Sequence, residues 1–176
     1  MPAATEASAS GVQNQAEWIG SDRVELALNE AIESFDSVME AKVRPAFQGK
    51  NLQFSKEPGE QARITQALSR YFNEVLPALK STDPEVPPVD LDSIVQPQAA
   101  CKDQLGEEYT VTAARNQVIC ISPSYIARQL NAKRVRGPAE RIIFGHIAFG
   151  LAVRHGFAPE DAAFVDRFVG QRATRP

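Results

Sequence analysis

Residues 142–153 form the most apolar stretch of the chain, twelve residues interrupted only by His146, Gly145 and Gly150. A membrane-spanning helix needs about 20 apolar residues, so this segment predicts a helix enclosed by protein. Apolar positions run almost all the way round it, the pattern of a central helix buried on every side. Pro138-Ala139-Glu140 supplies its start, and Gly156 stands as the C′ residue after a helix running to about His155.

The rest of the chain reads as elements that would cover such a helix. Residues 1–20, rich in Ala, Ser, Thr and Gln, predict a disordered lead-in. Ser21-Asp22 offers an N-cap. From there Val24, Leu28, Ala31, Ile32, Phe35, Val38, Met39 and Val43 recur at spacings of three and four, one apolar helical stripe that Pro45 should end. A second helix follows Pro58-Gly59, with Ile64, Leu68, Tyr71, Phe72, Val75, Leu76 and Leu79 on one face. Residues 81–98 are a proline-rich connector with one short strand expected at 91–95. Residues 108–112 and 117–121 predict a β-hairpin with its turn at 113–116. Ser122-Pro123-Ser124 opens a helix to Asn131, and a last helix begins at Ala158-Pro159 with Ala163, Phe164, Phe168 and Val169 inward. The expectation is an α+β fold, mostly α: an N-terminal helical hairpin over 21–80 and a unit over 81–176, joined as one compact domain because neither is long enough to be comfortable alone.

Composition removes some function classes. Lys and Arg number 19 against 22 Asp and Glu, a net charge of -3, which argues against nucleic-acid binding. The one basic cluster, Lys133, Arg134 and Arg136, reads as a solvated loop. Cys101 and Cys120 are the only cysteines. Without a C-x-x-C spacing or a neighbouring His they leave two readings, one disulfide or two buried thiols. A bridge would point to a periplasmic or secreted protein, two thiols to the cytoplasm. The opening residues MPAATEASASGVQNQ lack the basic and apolar regions of a signal peptide. They suit a cytosolic terminus as well as a processed chain with Met placed before it. Glycine loops for phosphate and G-x-S-x-G nucleophile motifs are absent from the sequence.

A hairpin whose second strand ends near a Cys, then a short helix, a loop and a buried helix carrying Gly145-His146, is similar to the H-E-x-x-H class of bacterial zinc metallopeptidases, of gluzincin-like build. The order and spacing of motifs carry this resemblance over roughly residues 64–170. In that family one Cys precedes the hairpin and another lies in its second strand, positions that Cys101 and Cys120 resemble. Residues 117–125 resemble the edge strand and helix that follow. Glu160-Asp161-Ala162-Ala163, with Asp166 beyond, is similar to the acidic stretch after the metal helix. The resemblance implies a zincin-like helical domain with a small sheet.

The departure from the pattern matters most. Zinc hydrolysis of this kind needs two imidazoles at i and i+4 on one helix face and a Glu between them as general base. With His146 as first ligand, the base position holds Ile147 and the second ligand position Gly150. General-base catalysis alone is worth about 10²–10⁴-fold, so the expectation is a catalytically inactive scaffold without cofactor, serving as a protein-interaction or structural subunit with a protein partner. His146, Glu160 and Asp161 remain as vestigial candidates. His155, nine residues after His146, points to the opposite side of the helix and suits the helix dipole in a last turn. Two alternatives stand beside this reading: a divergent metal-dependent hydrolase using His146 with Asp161 or Glu160, and a helical adaptor unrelated to peptidases.

Overall fold

The computed structural model describes residues 18–49, 52–80, 84–85, 90–103, 105–113, 117–135 and 137–174. Most of the expected lead-in, residues 1–17, lies outside these. Ile19, just before the first helix, is held on both sides by one side chain: Asn131 Oδ1 accepts from its N–H (2.9 Å), and Asn131 Nδ2 donates to its carbonyl (2.6 Å).

Helix α1 (Ser21–Val38) buries Val24, Leu28, Ala31, Ile32 and Phe35, as the stripe requires. Its N-cap is Gly20, without a side-chain cap, and Ser21 is already helical. Pro45 does not end the helix. The chain widens into a π turn over Met39–Val43, where the Arg44 N–H donates to the Met39 carbonyl, and continues as α2 (Arg44–Phe47). Proline has no N–H to donate, and its ring collides with the carbonyl four residues back. A wide turn before it relieves both problems and keeps the helix going. The second helix repeats the device: α3 (Pro58–Arg70) passes through a π turn, Tyr71–Val75, into α4 (Leu76–Ala78), with Pro77 at the step.

The strand expected at 91–95 is instead a single turn of helix, α5 (Leu91–Ile94), because the Asp90 side chain caps it by accepting from the Asp92 N–H. The strand β1 (Val95–Pro97) follows at once. The hairpin is present but divided. A bend at Thr110 splits its first arm into β3 (Glu108–Tyr109), which pairs antiparallel with β2 (Cys101–Lys102), and β4 (Val111–Ala113), which pairs antiparallel with β5 (Ile119–Ile121). Ala113, expected in the turn, is in the strand opposite Ile119; the rest of that turn, 114–116, lies outside the described residues. On its other side β5 pairs parallel with β1, giving the order β1-β5-β4.

Ser122, fully buried, caps α6 (Pro123–Asn131): its hydroxyl accepts from the Tyr125 N–H and donates to the Ala99 carbonyl. Ser124 donates to the same carbonyl. The central helix α7 (Ala139–Arg154) is buried as its composition demands. It ends at Gly156, φ +103°, where the Gly156 N–H reaches the Val153 carbonyl and the Phe157 N–H reaches that of Ala152. This left-handed closure is open to glycine at little cost. Helix α8 (Pro159–Ala173) buries Ala162, Val165, Phe168 and Val169. Ala163 and Phe164, expected inward, are only half-buried, since the buried face turns one residue from the predicted one.

One core joins the pieces. Helix α1 packs on α6 and α7, α3 on α8, and α7 lies against α8 on one side and β4 and β5 on another. The buried cluster runs from Val24 to Ala173 across both the 21–80 and 81–176 segments. Among the described residues no helix is long and apolar enough to cross a membrane.

Candidate functional site

His146 sits on the face of α7 that meets α8, and glycine sets how closely the two helices cross. A β-carbon on Gly145 would collide with the Asp166 carboxylate and come 2.8 Å from its carbonyl oxygen. One on Gly170 would stand 2.9 Å from the Arg141 carbonyl. At this spacing His146 Nε2 and Asp166 Oδ2 are 4.0 Å apart, with side chains 12% and 28% exposed. The imidazole's other nitrogen, Nδ1, is buried without a hydrogen-bond partner.

Burial dominates both groups. It lowers the His146 imidazole to about 4. It raises the Asp166 carboxyl to about 7, against an opposing pull from the Arg167 guanidinium. The neutral form of each is favoured because a charge loses its hydration when buried. A cavity of about 260 Å³ adjoins the pair, with Arg141, Arg167 and Gln171 on its wall.

The two positions that a zinc helix would need are committed to packing. Ile147 is fully buried in the core. Gly150 lies against Ile119 of β5: a β-carbon there would overlap the isoleucine Cγ2 and approach its Cδ1 to 3.2 Å. Glu160 and Asp161, in the first turn of α8, face α3. Arg63 Nε donates to Asp161 Oδ1 at 2.7 Å, and Arg63 Nη2 is 4.0 Å from Glu160 Oε2. The fold therefore brings Asp166, and not these two acids, to His146. His155 lies at the far end of α7, 3.6 Å from Glu74 and against the Phe157 ring. Among the described residues no three His, Cys, Asp or Glu side chains converge as a metal would require.

Cys101 and Cys120 are bonded, with their α-carbons 6.0 Å apart, which closes the choice between bridge and thiols. Beside the bond lies a larger feature that the sequence did not announce, a groove of about 520 Å³ between the sheet and α7. Its walls are mostly apolar: Val111 and Ala113 of β4, Val118, and the half-buried Phe149 and Val153, one turn apart on α7. At its edge Tyr109 and Val118 are 44% and 43% exposed. The signal in the sequence was Phe149 and Val153 at i and i+4, but in a helix apolar all round that pair is indistinguishable from core.

No family model, no curated protein and no solved structure matches the chain.

Proposed function

We propose that the protein is a metallopeptidase-like scaffold without catalytic activity, serving as an interaction or structural subunit that receives a protein partner in the groove beside α7. The observation that carries this reading is the packing of Gly150 on Ile119. The helix face that would present a second imidazole beside His146 is filled by a strand of the sheet. The neighbouring general-base position is an isoleucine inside the core. A lone imidazole next to a carboxyl held toward neutrality is a poor donor set for zinc, which is bound by deprotonated or neutral ligands in tetrahedral groups. A hydrolase built on His146 with Asp161 or Glu160 would require those acids to leave Arg63, so the geometry favours the scaffold. The groove supplies what a binding role needs, a concave apolar surface with a few polar groups, Lys102 and Asp103, at its edge.

Two measurements test the reading. Protein purified from cells grown with zinc is analysed for metal and assayed on peptide substrates. The expected result is substoichiometric zinc and no chelator-sensitive turnover; one zinc per chain, lost on His146→Ala, overturns it. A photo-crosslinking residue at Val118 is expected to capture a defined protein from the native source, and capture is expected to fail when Val153→Glu places a charge in the groove.

A further inference from the structure

The groove and the disulfide share a segment of chain. All the residues lining the groove except Phe149, Val153 and Pro159 fall between Lys102 and Cys120, inside the loop that the Cys101–Cys120 bond closes. We infer that this bond is a redox-operated clasp: formed, it holds the groove wall in place, and reduced, it releases the wall while the helical core stays folded. The clasp governs docking only if the groove is the docking surface proposed above, but its effect on the wall does not depend on that reading.

Both cysteines are buried, Cys101 at 1% and Cys120 at 8% exposure. Among the described residues between Cys101 and Ile119, none is buried. Among the described residues the wall is fully buried only at its ends, Cys101 and Ile119-Cys120, while Val111 and Ala113 of β4 lie half-buried against the core. The rest of its hold is a two-residue ladder between β2 and β3, a three-residue ladder between β4 and β5, the half-buried contact of β4 with α7, hydrogen bonds from the Ser122 N–H to the Thr110 carbonyl and from Arg154 Nε to the Gln117 carbonyl, both 2.9 Å, and an exposed ion pair from Arg128 to Glu108 at 2.8 Å. Segments with few buried apolar contacts open locally at little cost. Closing a loop of this length, with the cysteines 19 positions apart in sequence, disfavours the open ensemble on the order of a hundredfold.

The core does not share this dependence. Its apolar cluster is contributed by the helices, the two π turns, Phe157 and the sheet residues Val95, Ile119 and Ile121, without either cysteine. β5 keeps its parallel partner β1 and its packing on α7 whether or not Cys101 is attached.

Cys120 is the bridged residue that lines the groove, so its sulfur is the one an entering thiolate meets. A dithiol reductant attacks there through one thiolate, forming a mixed disulfide and releasing the Cys101 thiolate, which takes up a proton. Its second thiol then closes on the first sulfur and releases Cys120, leaving the reductant oxidised by two electrons and the protein with two thiols. An occupant of the groove would cover this approach and slow reduction.

The test is amide hydrogen exchange read by mass spectrometry on the full chain, free of any partner, in three forms: oxidised, reduced with dithiothreitol, and carrying Cys101→Ser with Cys120→Ser. Peptides covering residues 102–118 are expected to exchange at least tenfold faster in the second and third forms, while peptides from α1, α3, α7 and α8 keep their rates. Unchanged exchange over 102–118 would show that the wall stands without the bond. Loss of protection in the four helices would show that the bond holds the whole fold. Either result overturns the clasp, and neither touches the scaffold reading, which rests on metal content, turnover and cross-linking.

Discussion

Gly145 of the central helix lies directly on Asp166 of the last, with space for no atom beyond its own α-carbon. Gly145→Ala therefore forces α7 and α8 apart or pushes Asp166 from its place. Overpacking of this kind costs about 1–3 kcal/mol, and urea unfolding should show a lowered midpoint with an unchanged slope. Gly170→Ala, which meets the Arg141 backbone at 2.9 Å, should do the same.

The His146–Asp166 pair predicts an unusual pH profile. Asp166 is raised from 3.8 to about 7 on folding, so its contribution is fully present below pH 4 and is lost as pH rises through 7. His146 is lowered from 6.5 to about 4, so its contribution is present above pH 6.5 and is lost as pH falls through 4. Between pH 4 and 6.5 the two slopes oppose each other. Above that, only the Asp166 loss continues. Asp166→Asn should thus be more stable than the parent at pH 8, by on the order of 1 kcal/mol after allowing for the carboxylate's partial exposure, and the advantage should vanish at pH 4. Denaturant titrations at the two pH values decide it.

Asn131 makes two hydrogen bonds to the backbone of Ile19, at 2.9 and 2.6 Å. Asn131→Ala leaves both of those half-buried peptide groups without their partner. A loss of about 1–2 kcal/mol is expected, together with faster exchange of the Ile19 amide.

In the groove, Phe149 and Val153 are half-buried and large enough to act as anchors. Phe149→Ala should reduce cross-linking of the captured partner at least tenfold, as truncation of a central aromatic anchor commonly does. The far-ultraviolet circular dichroism should stay that of the parent.

The helices, and the buried faces of α1 and α3, were legible because periodicity reports them directly; the face of α8 was one residue off. Val24, Leu28 and Phe35 repeat at helical spacing, and Gly156 marks a left-handed end. What escaped had competing local causes. Pro45 carries the signal of a helix stop, and only the π turn reconciles it with continuation. Asp90 turned an expected strand into a capped helical turn. β2 is too short, at two residues, to leave a period. At the site, His146 was visible as a lone imidazole and Asp166 as a trailing acid, but their meeting depends on which faces of α7 and α8 touch. Glycine at 145 and 170 decides that, and the absence of a side chain carries no periodicity. The groove was the least legible, because it is made where residues 102–120 meet residues 149–159, two stretches distant in sequence.

The wedge of Ile119 against Gly150 also limits what this chain can become. An imidazole introduced at 150 alone collides with a fully buried residue of the sheet, so any route from this packing to a two-histidine helix must pass through a reshaped β5. Single substitutions at 150 are thereby cut off from that chemistry, and variation that leaves the core intact is confined to positions outside it.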